Sequence, residues 1–278
     1  WIVLIDALDY NCSKSNSIAS VSVGYFTNLF IPRAGEISRC TTLNQAEKIP
    51  VDKLFGTILI ERVIDFIFLF ALILLTFFLK LDDLLNFLTT LQSHQTNSSG
   101  GNSTLYIFLG IIVVGAVGFV VLKKRLKKSA FYQKIMDFID GLKEGFKSIK
   151  KMKNKSLFWM HTFSIWIMYF LMTYICFFSM AETSNLSVAD GLFILVLGGI
   201  GMVIPTPGGI GSYHAIVMIG LAVLGVGFIN LNPPDGEINP ALVFPTVVHV
   251  AQTLVAIIMG TISLFVLFLS KKKAYVES

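Results

Sequence analysis

The sequence predicts an all-α, polytopic integral membrane bundle with two re-entrant or broken segments, around residues 17–36 and 187–229. Composition is the first reason. The 278 residues are 54% hydrophobic, include 24 Phe and are only 14% charged. Mean hydropathy is +0.74. A soluble domain of this length carries more charge than that. Second, several apolar runs approach ~20 residues, the span of a bilayer core. Third, Pro and Gly interrupt two apolar stretches, at Pro32-Arg33-Ala34-Gly35-Glu36 and at Pro205-Thr206-Pro207-Gly208-Gly209-Ile210-Gly211. The alternating pattern of an outer-membrane barrel is absent from the sequence.

Taken in order, residues 1–8 read as the end of a helix and 9–16 as a loop. The apolar stretch 17–31 is too short for a comfortable crossing, and Pro32 ends it. Residues 33–53 read as a loop. A helix of ~26 residues over 54–79 can span with tilt. Residues 80–103 are polar and loop-like, and 104–122 form another span. Gly110, Gly115 and Gly118 in that span allow close helix approach.

Residues 123–155 carry twelve Lys/Arg against three acids, which predicts a basic cytoplasmic loop. Phe131, Ile135, Phe138, Leu142, Phe146 and Ile149 recur there on one helical face. That face suits an interfacial helix on an anionic leaflet, or packing on the bundle. Residues 156–180 form an aromatic-rich span. Residues 187–204 and 212–229 flank the second break, and 241–270 form the last helix before Lys271-Lys272-Lys273. With the basic segments inside, loops 80–103 and 181–186 fall outside and 33–53 inside.

The expected unit is a single transmembrane domain over 1–278 of the cytoplasmic membrane, with the C-terminus cytoplasmic. Trp1 opens inside an apolar run with no basic n-region or cleavage site, so no signal peptide is predicted, and upstream helices are expected. Cys12, Cys40 and Cys176 have neither disulfide nor metal spacing. Asn97-Ser98-Ser99 and Asn102-Ser103-Thr104 match the glycosylation pattern, in a tract better read as a flexible polar loop.

Three groups of residues carry candidate chemistry. Thr57, Glu61 and Asp65 recur at four-residue steps on one helix face, and Arg62 reaches Asp65 at three. Charges in so apolar a setting either serve function or form a static ion-pair network with Arg33 or Arg39. Arg33, Glu36 and Arg39 are spaced three apart, so a helical turn aligns them, and Arg suits bidentate phosphate contact. Asn28 sits a turn before that break. In the second break Pro207, Gly208, Gly209 and Gly211 feed a helix that Ser212 can cap. Such an N-terminus offers donors to an anion, or is simply a tight hairpin turn. His214 follows, and His249 lies further on beside Gln252 in spacing. Phe30-Ile31-Pro32 and Val203-Ile204-Pro205 form a weak internal echo, the pattern of paired broken helices with a site between them. No nucleophile–base pair, nucleotide loop or metal cluster is present in the sequence, so neither a catalytic residue nor a cofactor is assigned.

Gly24-Tyr25-Phe26, Asn28, Pro32 to Glu36, Arg39, Glu61-Arg62, Asp65, Pro205 and Pro207 to Gly211 together resemble the flippase-like transmembrane domain of lysylphosphatidylglycerol synthases. The resemblance implies lipid handling or translocation. The aminoacyltransferase of that family sits in a separate soluble domain, and nothing here resembles it. Many members carry Glu after the Gly-rich turn, where this chain has His214, so a carboxylate role does not transfer. The reading is of a protein that binds an anionic phospholipid or lipid-linked head group and moves it across the membrane. Arg33, Arg39 and Arg62 would meet the phosphate. The other readings are an integral-membrane transferase using Asp65, Glu61 or His214 as base, or an anchor docking a soluble partner through 123–155. The partner class is membrane lipid rather than nucleic acid, and self-association is left open.

Overall fold

In the computed structural model, residues 1–95, 154–229 and 237–276 are described. Among them the elements are helices: α1 (Ile2–Asp6), α2 (Lys14–Asn28), α3 (Gly35–Glu47), α4 (Val51–Leu79), α5 (Leu81–Gln95), α6 (Lys155–Cys176), α7 (Val188–Val203), α8 (Ser212–Val223) and α9 (Pro240–Val276). The predicted span 104–122, the basic loop up to residue 153 and both glycosylation patterns lie outside the described residues. Lys155–Ser179 and Pro240–Phe268 are long and apolar enough to cross a bilayer, while Val188–Val203 and Pro207–Val223 are shorter apolar helices.

The first hairpin is α2, a break and α3. Pro32 offers no amide donor, and Arg33 turns the chain at φ 60°. The Asn28 side chain then accepts the Gly35 N–H at 2.7 Å, satisfying one donor that the new helix leaves open. Gly24 and Gly35 let the two helices touch backbone to backbone: a Cβ on Gly35 would stand 2.4 Å from the Gly24 carbonyl oxygen. At the open end, Glu47 accepts from the Ser13 N–H (3.1 Å) and the Asn16 amide (2.7 Å). The expectation of a loop over 33–53 is corrected here, because 35–47 is helical. Cys40 and Leu43 bury on one face against Ile5, Ile49, Leu54 and Ile58, and this packing outweighs the low hydropathy of the segment.

The second hairpin is α7, a break and α8. Ser187 and Asp190 cap α7 reciprocally. Ile204 becomes extended before Pro205, as the residue before proline must. A single 3-10 turn over Pro207–Gly209 leads to α8. Gly201 brings the helices together, since a Cβ there would be 2.9 Å from the Tyr213 Cα. The hairpin buries Phe193, Ile194, Val217 and Leu221 against Phe177, Phe244 and Val248. In a bilayer this close packing, rather than escape from water, is what holds helices together.

Two long helices set the hairpins in place. α4 has 29 residues, about 44 Å at 1.5 Å per residue. The short link Lys48 to Pro50 joins it to α3, so the open end of the first hairpin lies at the Val51 end of α4. The opposite end holds the second hairpin: Lys80 pairs with Asp190 in the first turn of α7. A Cβ on Gly199 would be 3.2 Å from Leu69, further down α4. The hairpins therefore enter from opposite ends of α4. α9 packs on both, through Ala241, Phe244 and Val248 on the second and through Gly260 against Phe26 of the first.

The outward faces of α4, α6 and α9 expose Phe66, Phe70, Phe78, Phe163, Ile167, Leu254 and Phe265, the surface of a protein solvated by lipid. A second correction concerns 80–103. Residues 81–95 form helix α5, opened by Asp82 and Asp83 in its first turn, where acids are favourable. Leu84 packs against the second hairpin's core.

Candidate functional site

The two breaks meet. Arg33, in the first, donates from Nη2 to the Val203 carbonyl at the end of α7, at 2.9 Å. A Cβ on Gly208, in the second, would stand 3.4 Å from the Leu29 side chain. Four helix ends therefore converge, the C-termini of α2 and α7 and the N-termini of α3 and α8. The charges suit these ends. Arg33 lies at the negative C-terminus of α7, and Glu36 lies in the first turn of α3. One Glu36 carboxylate oxygen is buried without a hydrogen-bond partner.

The charged turn lies beside this junction. Because α4 begins at Val51, three residues before the predicted start, Asp65 is fourteen residues from either end of it. Glu61 pairs with Arg39 across from α3, with side chains 19% and 12% exposed. The Arg39 guanidinium also stacks on the Trp1 ring, 4.3 Å from its centroid. Arg62 pairs with Asp65 at 3.0 Å, in the predicted i,i+3 geometry, and both are far more open, at 55% and 38%. Thr57 is buried and accepts the Trp1 indole N–H at 2.8 Å. A cavity of about 60 Å³ borders this turn, lined by Trp1, Leu4, Glu61, Asp65, His161 and Thr162.

The second tip differs from expectation in its donors. The Gly209 N–H donates to Thr206, the Ile210 N–H to Pro207 and the Gly211 N–H to His214 Nδ1. The turn thus consumes amides that the sequence reading assigned to an anion. Ser212 is the first residue of α8, not its cap: Gly211 holds that place. The Ser212 hydroxyl instead pairs with Thr206 at 2.8 Å. Gly208, Gly209 and Gly211 have φ of 59°, 83° and 86°, values that exclude most other residues. A Cβ on Gly209 would also fall 2.3 Å from the Met202 sulfur, so that side chain would have to move.

Of the sequence candidates, Asn28, Arg33, Glu36, Pro207, Gly208 and Gly209 lie at or next to the junction. Arg39, Glu61, Arg62 and Asp65 line the adjacent turn. Gly211 and His214 begin the helix leading away. Sequence reading missed Lys80 and Asp190, whose pairing joins residues 110 apart and leaves no local spacing signal. His249, which the sequence sets far from the break, is buried, and its Nε2 bonds the Gly208 carbonyl at 2.8 Å.

Fold and site define a multi-pass helical membrane protein with polar groups gathered where two broken helix pairs touch. More narrowly, the chain belongs to the family described as lysylphosphatidylglycerol synthase TM region, whose model matches residues 1–229. All three motifs that carry the resemblance fall inside that match. Neither the curated proteins nor the solved structures gave a match.

Proposed function

We propose that the protein binds the head group of an anionic phospholipid or lipid-linked substrate and passes it across the cytoplasmic membrane. One observation carries this reading: two hairpins entering from opposite ends of α4 meet beside a charged turn at its middle. An unsatisfied polar group in hydrocarbon costs several kcal/mol. A path of paired charges at mid-depth lowers that cost where it is greatest. The exposed Arg62–Asp65 pair is the first contact of the head group. Arg33 and Arg39 take over the phosphate as it passes the junction, and the opening amides of α8 add donors at its far side. Membership of a lipid-linked family supports the substrate class.

The test is head-group-labelled lipid scrambling in proteoliposomes, wild type against an Arg62→Ala, Asp65→Ala double variant. Loss of one charge-assisted contact is worth at least ~1.4 kcal/mol, or about a tenfold lower rate. An unchanged rate from folded variant protein overturns the assignment of this turn. No movement of any anionic or neutral lipid by the wild type overturns the function.

A further inference from the structure

We propose that His214 and His249 form a proton-operated latch, holding the tip of the second hairpin against α9 and releasing it when the pair takes up a proton. The consequence for transport rests on the lipid-path reading above, but the latch itself does not.

The geometry fixes where the protons are. The Gly208 carbonyl can only accept, so the His249 Nε2 at 2.8 Å carries a hydrogen and donates it. The Gly211 amide can only donate, so the His214 Nδ1 that it reaches, at 3.4 Å, is bare. His214 is therefore neutral in the closed tip. The two rings lie 4.9 Å apart between centroids, and Tyr213 lies 5.5 Å from His249. One ring is on α8 and the other on α9, and His249 grips the very turn that touches Leu29 of the first hairpin.

A proton arriving from water adds to the bare His214 Nδ1. That acceptor becomes a donor facing the Gly211 donor, and their hydrogen bond is lost. The new imidazolium also sits beside the second imidazole, in surroundings that screen it poorly. Among the described residues, the ionisable side chain in contact with both rings is Tyr213 on α8. Asp190 on α7 and Asp82 and Asp83 on α5 belong to the opposite end of the hairpin, beside Lys80. No described contact gives the pair a carboxylate partner, so charge on it is relieved by separating the rings. The tip is built from three positive-φ glycines and can change shape without side-chain clashes.

Met202 reports on the tip, because its thioether rests on Gly209. The test uses the full chain, labelled with ¹³C at the methionine methyls, with Met202 assigned from Met202→Leu. The sample is titrated from about pH 7.5 down to about pH 4.5, through and below the ordinary imidazole range. The expected result is a Met202 shift with its midpoint in that range. A His214→Asn, His249→Gln variant keeps the acceptor and the donor but cannot charge, and its Met202 signal stays still. A wild-type signal that does not move, or an equal shift in the variant, overturns the latch. Scrambling is measured on the same preparations. A pH-responsive tip without lipid movement refutes the lipid path and leaves the latch standing. Lipid movement with a still tip does the reverse.

Discussion

Gly35→Ala offers the sharpest test of the fold. The new methyl would stand 2.4 Å from the Gly24 carbonyl oxygen and 2.5 Å from the Asn28 Nδ2. Ordinary contact begins at 3.4 Å, so α2 and α3 must separate by roughly an ångström. Overpacking of this kind costs ~1–3 kcal/mol. The separation also strains the Asn28–Gly35 hydrogen bond, worth ~0.5–1.5 kcal/mol. Restricting the unfolded chain returns ~0.4–1 kcal/mol. The net expectation is a loss of about 1–4 kcal/mol. Gly56→Ala is the matched control. That glycine lies in the second turn of α4, with nothing within 4 Å of the added methyl, so it should gain about 0.5–1 kcal/mol from helix propensity. Denaturant unfolding of both variants in one detergent, followed by circular dichroism, gives the comparison. Equal or greater stability of Gly35→Ala would refute the backbone-to-backbone crossing. The same change should loosen the Arg33–Val203 contact and slow any lipid movement through the junction.

Two further outcomes follow from the ion pairs. Arg39→Met strands Glu61. Breaking a fully buried pair costs ~3–5 kcal/mol, and the partial exposure here reduces that to about 1–3 kcal/mol. Adding Glu61→Gln should restore most of the loss, and a double-mutant cycle without measurable coupling would remove the pair from the account. Lys80 lies beyond the end of α4. Burial pulls its ammonium down, but hydrogen bonds and charge from Asp190 and Asp83 outweigh this and hold it above the usual lysine range. A raised folded-state value means stability that is full below the ordinary lysine range and lost as pH rises through the folded one. Thermal unfolding from about pH 9 upward should show this alkaline loss in the wild type and not in Lys80→Met. Parallel profiles would disprove it.

What the sequence revealed and concealed divides by range. Both breaks were legible because Pro32, Pro205 and the glycines restrict the backbone within a few residues. The Arg62–Asp65 contact was legible from its three-residue spacing. α3 and α5 were not, because both segments are mostly polar and become helices through partners elsewhere. Cys40 and Leu43 need Leu54 and Ile58, and Leu84 needs the core of the second hairpin. The Arg39–Glu61 pair was one of two candidate networks, and only the antiparallel docking of α3 on α4 selects it over Arg33. Lys80 met Asp190 without warning, since each looks like an ordinary charge at the edge of an apolar run.

The three arginines share one property. Arg33 already holds a carbonyl, Arg39 a carboxylate and Arg62 another. On the proposed lipid path, a phosphate arriving here would find each of these three guanidiniums engaged, and its binding would be an exchange reaction. Each new contact displaces an old one, so the net affinity is a small difference between large attractions. The displaced Glu61, Asp65 and helix end stay close by to reclaim their partners. Such a site suits passage better than storage: attractive enough to admit the cargo, and quick to let it go.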